Sequence, residues 1–305
     1  MHLLIPLLGS VLFVCSLIFV KRASASAADQ QENRASGTGG AGLNPLTTLF
    51  CANMFAALLF SAFWPLGGTI PSWTWLYQPL AVAVLYCVGL AFVFLAIGRG
   101  DVSVATPILG LKVFLVALLL AVTGIEALPA SMFFAAALAS LGIALIQWTG
   151  RGKRHHVLLT IALALTASTS FAHCDILVQR WAPAWGTGRF LPLAFWFVGL
   201  MSLPLIPAVQ WSLLRRRKVA AWLLPGACLM AMQAICITFT LAMFGDAARV
   251  NVVYSLRGMW ALGLAWVAAK MWGGGEADLT RTGLWQRMAG ATFLTVAVIV
   301  AITIR

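Results

Sequence analysis

Two basic residues, Lys112 and Arg257, stand inside long apolar runs, at equivalent places in two similar stretches. The stretch from Gly100-Asp101 to Leu111-Lys112 lies without a gap on the stretch from Gly245-Asp246 to Leu256-Arg257. Gly-Asp meets Gly-Asp, Leu meets Leu, and Lys meets Arg. A cation at a bilayer midplane costs about 2.5–3.5 kcal/mol on insertion scales and ordinarily faces a cavity or a partner. Meeting that cost twice predicts a central polar site on a pseudo-symmetry axis. An ammonium attracts phosphate, carboxylate or sulfonate as a point charge, and a guanidinium can hold two acid oxygens in a fork.

Neighbouring residues extend this candidate site. Lys112 lies about nine residues into its run, roughly 13 Å of helix, which is too deep for comfortable snorkelling to the surface. Pro107 and Gly110 precede it, and a proline that removes a helical donor predicts a kink there. Tyr254 and Asn251 approximately share the face of Arg257 and are candidates to orient a bound solute, with hydrogen bonding between helices as the competing role. His173 and Asp175 fall near the expected outer end of the sixth run. They are candidates for proton coupling or for pairing with a cation when the site is empty; a pair with Arg180 or a helix-end contact is the competing reading. Asp101 and Asp246 are expected to cap the helices they precede. The tryptophans near run ends, among them Trp64, Trp73 and Trp185, read as interface anchors. Asn53, Gln78, Tyr86 and Gln233 are isolated polar residues that interhelical hydrogen bonds would explain.

The elements that must position these groups follow from hydropathy. Of 305 residues, 62% are hydrophobic and only 9% are charged, with a mean hydropathy of +0.95. A soluble domain carries about 25% charged residues, so no water-facing surface can be built from this chain. The runs are continuously apolar, which favours helices over the alternating pattern of a membrane barrel. They predict an all-α polytopic membrane protein with about ten spans, near 3–20, 46–64, 76–97, 103–122, 129–149, 157–178, 190–209, 220–243, 248–269 and 286–303.

A second echo, Phe19-Val20-Lys21-Arg22-Ala23 in Val178-Gln179-Arg180-Trp181-Ala182, has a larger offset than the two cations. The extra residues then fall in the Ala-, Ser- and Gly-rich segment after the first run, expected to be a flexible loop over 21–44. Two five-helix halves result, 1–150 and 151–305, and an odd number of spans in each gives them opposite orientation. Loop charges set the sidedness. One side collects Lys21, Arg22, Arg99, Arg151 and the run from Arg215 to Lys218, whereas the other has Arg180, Arg189, Arg249 and Arg305. The positive-inside rule places the first group in the cytoplasm and both termini outside.

The net charge of +12 is dispersed between apolar runs, which argues against a nucleic-acid surface. The six cysteines lie inside apolar runs without a CxxC pair, so they read as packing residues and no metal or other cofactor is expected. No GxxxxGK[ST], HExxH or GxSxG occurs, and an enzymatic role is not expected.

On these features the chain resembles the drug/metabolite transporter superfamily in its ten-helix EamA-type form. Gly124-Ile125-Glu126-Ala127-Leu128 is similar to that family's Gly-Glu turn after the fourth helix. Ala135 to Leu145 is similar to its small-residue fifth helix, with a weaker copy at Gly290-Ala291-Thr292-Phe293-Leu294. Lys112 and Arg257 resemble two of the three cations of the sugar-phosphate translocators in that superfamily; Leu256 stands where the third would be. The second half has Trp272-Gly273-Gly274-Gly275-Glu276 in place of the Gly-Glu turn, and the family's termini are usually cytoplasmic, unlike the sidedness read from the loops. The resemblance implies alternating access by a secondary transporter in a bacterial inner membrane. The solute expected from the cations is a small organic anion, phosphorylated or carboxylated. A lipid-linked phosphate and a structural membrane subunit are the alternatives. Membrane lipids and a second copy of the chain are the further candidate partners.

Overall fold

The computed structural model describes residues 2–32, 43–99, 102–147, 157–261, 263 and 281–303, and these are helical with short connections. The helices are α1 (Leu4–Glu32), α2 (Pro45–Ser61), α3 (Tyr77–Arg99), α4 (Val102–Leu109), α5 (Lys112–Thr123), α6 (Ala130–Gln147) and α7 (Val157–Trp185). They continue with α8 (Thr187–Ser202), the short α9 (Trp211–Leu214), α10 (Arg217–Phe244), α11 (Ala247–Tyr254) and, nearest the C-terminus, α12 (Arg281–Thr303). Among the described residues, eight helical stretches are long and apolar enough to cross a membrane, and Ala130–Ile146 is a shorter apolar helix. The expected ninth span begins as α11 and is helical again over 257–261, with most of its remainder outside the described residues.

Small side chains decide which helices meet. The helix α1 packs against α10, α3 against α7, α2 against α8 and α6 against α12. At Gly142 of α6, a Cβ would stand 2.8 Å from the Gly290 carbonyl oxygen; at Gly290 of α12, one would stand 2.7 Å from the Gly142 carbonyl oxygen. That contact is backbone on backbone and leaves no room for a methyl group. Gly9 likewise brings α1 to α10, where a Cβ would meet that of Cys236 at 2.9 Å, and Gly89 admits the Phe171 ring between α3 and α7.

The first helix corrects one expectation. Residues 21–32, expected as the start of a loop, extend α1. Ala23 and Ala27 are fully buried in a cluster with Leu213, Val219, Leu223 and Ala227. The alanines and serines that look like low complexity are good or tolerable helix residues, and one face of them is small enough to lie flat on α10. The rest of the expected loop, through Gly42, falls outside the described residues.

One tryptophan also parts from the reading as an interface anchor. Trp185 is wholly buried and donates its indole N–H to Gln78 Oε1 at 2.7 Å. Trp64 lies under the Arg189 guanidinium, 4.1 Å from the ring centroid, and its carbonyl accepts from the same arginine at 2.6 Å. Trp73 does stand out, with 76% of its surface exposed.

The glycine contact generates a prediction. Gly290→Val should lower the thermal midpoint of the detergent-purified protein, because overpacking a filled contact costs about 1–3 kcal/mol. Gly263→Ala, at a helical site with nothing within 4 Å, should not lower the midpoint. Equal midpoints for wild type and Gly290→Val would refute the close contact.

Candidate functional site

Each of the two cations begins a helix segment. The helix α4 ends at Leu109, Gly110 and Leu111 form a tighter turn, and Lys112 is the first residue of α5. At the equivalent place, α11 ends at Tyr254, Ser255 and Leu256 form the turn, and Arg257 opens the segment 257–261. The turns use bonds three residues apart, from Gly110 N to Pro107 O at 3.0 Å and from Leu256 N to Val253 O at 3.1 Å. Only the first contains a proline. In the second, the Ser255 hydroxyl donates to Val252 O at 2.5 Å, competing for a carbonyl of its own helix.

A broken helix exposes carbonyls that need donors when no water is at hand. Around the first break they come from neighbouring helices. Ser168 of α7 donates its hydroxyl to Ile108 O at 3.2 Å, and Ser140 of α6 donates to Gly110 O at 3.3 Å. Ser168 belongs to Ser168-Thr169-Ser170, a run whose small size alone would explain close packing; its hydroxyl has the further task of completing the α4–α5 break.

The Lys112 ammonium reaches across to α7, where its Nζ lies 2.7 Å from Asp175 Oδ2. The same oxygen accepts from Asn251 Nδ2 of α11 at 2.8 Å. Asn251 also donates to Ala247 O at 3.0 Å. Asp175 and Asn251 are buried, and the lysine side chain retains only 16% of its exposure. Three helix systems thus meet on one carboxylate oxygen. The Phe171 ring, one turn before Asp175, lies 5.8 Å from the lysine nitrogen.

Arg257 is held differently. Its guanidinium carbon stands 4.6 Å from the Tyr254 ring centroid and 5.2 Å from that of Phe13 on α1. The two rings face each other edge-on at 6.3 Å. Among the described residues, no carboxylate forms an ion pair with Arg257. The site therefore contains two cations and one anion, with the surplus positive charge beside two aromatic rings. Both cations also occupy the first position of a helix segment, where the backbone dipole adds positive potential.

Five residues expected at the site are here. Lys112 and Arg257 occupy equivalent breaks, and Tyr254 walls the arginine. Asn251 donates its amide to Asp175, the hydrogen bonding between helices given as its competing role. Asp175 is not at a helix end with Arg180: α7 continues ten residues beyond it, to Trp185, and brings the carboxylate to the depth of Lys112. His173 is not in the cluster; its Nδ1–H donates to Thr169 O of its own helix at 2.9 Å. Phe13 and Phe171 are additions that apolar sequence could not distinguish from core. Asn53 and Gln78 do bond between helices, Asn53 Nδ2 donating to Ser202 Oγ at 2.8 Å.

Beyond Asn251 the start of α11 is clamped by polar groups. Gln179 Oε1 accepts from Ala247 N at 2.9 Å, and its Nε2 donates to Glu126 Oε2 at 3.1 Å. Asp246 was expected to cap α11 but makes no side-chain capping bond. Its carboxylate instead accepts from Arg249 at 3.2 Å and lies 3.4 Å from His2 Nε2. Asp101 lies outside the described residues.

No protein-family model and no curated protein matches this sequence. Its fold does recur: 28 chains of known structure match. One, titled only "Crystal structure of protein", superposes with a TM-score of 0.62 at 12% identity, over 95% of this chain and 98% of the other. At that identity the likeness is one of fold alone.

The ion pair gives the second prediction. Asp175→Ala leaves an ammonium with no carboxylate in a buried setting, which costs about 3–5 kcal/mol. Replacing both partners, as Lys112→Met with Asp175→Leu, should recover most of that loss, because no lone charge remains. Thermal midpoints of the single and double variants measure this, and a double variant no more stable than Asp175→Ala would count against the pair.

Proposed function

We propose that the chain is a secondary transporter of small organic anions, with Lys112, Arg257 and Tyr254 forming the solute site and Asp175 and Asn251 controlling its charge. The observation that carries this reading is the unequal pairing of two equivalent cations. Lys112 is neutralised by Asp175, and Arg257 has aromatic neighbours and no carboxylate among the described residues. A partly buried positive charge without a counter-ion is costly, and an acid group entering beside it offsets the cost. A planar guanidinium can hold two acid oxygens along its N–H edge.

The packing supports two inverted repeats of five helices, 1–150 and 151–305, on which this mechanism rests. If the first five spans correspond in order to the last five, the packing of α1 on α10 exchanges with that of α7 on α3. The pairs α2 with α8 and α6 with α12 are then each their own counterpart, as is the reciprocal contact of Gly142 with Gly290. Alternating access follows if one repeat rocks against the other about the fixed site. The bonds of Glu126, Gln179 and Asp246 at the start of α11 then act as a closure on one side of the site and must part when that side opens. The resemblance to the drug/metabolite transporter superfamily agrees with this plan.

Efflux from proteoliposomes tests the function without a known substrate. Vesicles loaded with a mixture of small carboxylates and organic phosphates should lose a subset of them, identified by mass spectrometry, only when they contain the wild-type protein. Arg257→Gln should reduce that loss at least about tenfold, the scale of one charged hydrogen-bonded contact. Release of cationic or neutral solutes alone would overturn the anion reading.

A further inference from the structure

The charges around the site also limit the charge of what it takes. Lys112 and Arg257 supply two positive charges, and Asp175 removes one. No other carboxylate among the described residues pairs with either cation. We infer that Asp175 sets the valence of the substrate: the site carries one net positive charge and selects a singly charged organic acid, such as a monocarboxylate, over a dicarboxylate or a phosphate dianion. This inference rests on the anion-transport reading and narrows it.

The physical reason is the cost of charge away from water. A monoanion beside Arg257 leaves the Lys112–Asp175 pair intact and balances the site. A dianion leaves one negative charge unmatched unless it also draws Lys112 away. In that case Asp175 stays buried with only the Asn251 amide as a donor in this arrangement, and the lost pairing offsets the gain. The carboxylate cannot turn aside freely, because the oxygen that accepts from Lys112 at 2.7 Å also accepts from Asn251 at 2.8 Å. Asn251 is in turn tied to Ala247 O at 3.0 Å, so the position of Asp175 is fixed from two helices. It acts through Lys112 and the charge of the site and is a specificity-determining residue, not a contact of the solute.

The test compares butyrate with succinate, two four-carbon acids that differ in charge, by thermal shift of the purified protein at neutral pH. The rise of the midpoint with concentration gives an apparent affinity for each. In the wild type, butyrate should bind at least about tenfold more tightly than succinate, and Asp175→Asn should reverse the order by exposing a second cation. Asparagine keeps the size of the aspartate and can still accept from Lys112 and Asn251. The double variant Lys112→Met with Asp175→Leu keeps one net positive charge and should keep the preference for butyrate, even if Asp175→Asn does not fold.

A wild type that prefers succinate would overturn the inference, as would an Asp175→Asn protein that retains the wild-type order or a double variant that prefers succinate. No response of the wild type to either acid would overturn the anion site together with the inference. The predicted order of binding without efflux from vesicles would support the valence rule and remove transport.

Discussion

The buried contact of Lys112 with Asp175 is the constraint that the rest of the interior answers to. A charged pair among apolar helices is tolerable only when its remaining hydrogen-bond positions are filled. Here one carboxylate oxygen receives both the ammonium and the Asn251 amide, which joins α5, α7 and α11 at one point. The helix break that starts α5 at Lys112 creates a second polar demand, and Ser168 and Ser140 meet it from α7 and α6. The helix α7 therefore serves both the charge and the exposed backbone. Loss of either serine hydroxyl would leave a break carbonyl without that donor.

That arrangement needs helices to approach closely elsewhere. The mutual approach of Gly142 and Gly290 joins α6 to α12 through backbone, and Ser140 lies one half-turn before Gly142. Gly110 serves the break directly: a Cβ there would fall 2.6 Å from Ile143 Cγ2, so α6 packs against the turn itself. Packing between helices in a membrane has no water to expel and relies on such van der Waals contact. The small residues of α6 thus connect a purely steric contact to the polar centre within a few residues.

The sequence made the helices legible because runs of apolar residues that long have no other solution in a bilayer. It also made the two cations legible, since a repeated charge in an apolar run is expensive. What it hid is instructive. Asp175 looked shallow because the hydropathy of α7 falls around His173, Asp175 and Gln179, whereas the helix itself runs to Trp185. Length along the chain measured depth wrongly there. Pro107 advertised the first break, but the second carries no proline and depends on Ser255 turning its hydroxyl onto its own helix. Phe13 and Phe171 are indistinguishable by composition from any other phenylalanine in a span. The extension of α1 through residues 21–32 was masked by alanines and serines, which suit a loop by composition and a close helix contact by size.

The difference between the two cations has a chemical logic of its own. A lysine ammonium is compact and strongly hydrated, so in a dry interior it needs a carboxylate oxygen at short range, and Asp175 provides one. A guanidinium is planar and more weakly hydrated, and its faces gain from aromatic rings while its edge remains able to donate. Tyr254 and Phe13 lie beside Arg257 without neutralising it. Exchanging the two cations would therefore remove the distinction: an arginine beside Asp175 would engage the carboxylate with more donors than one oxygen needs, and a lysine beside the rings would lack a flat surface to pack on them. Two equivalent positions in the chain thus hold one charge that the protein neutralises itself and one that it leaves for a ligand on the proposed reading.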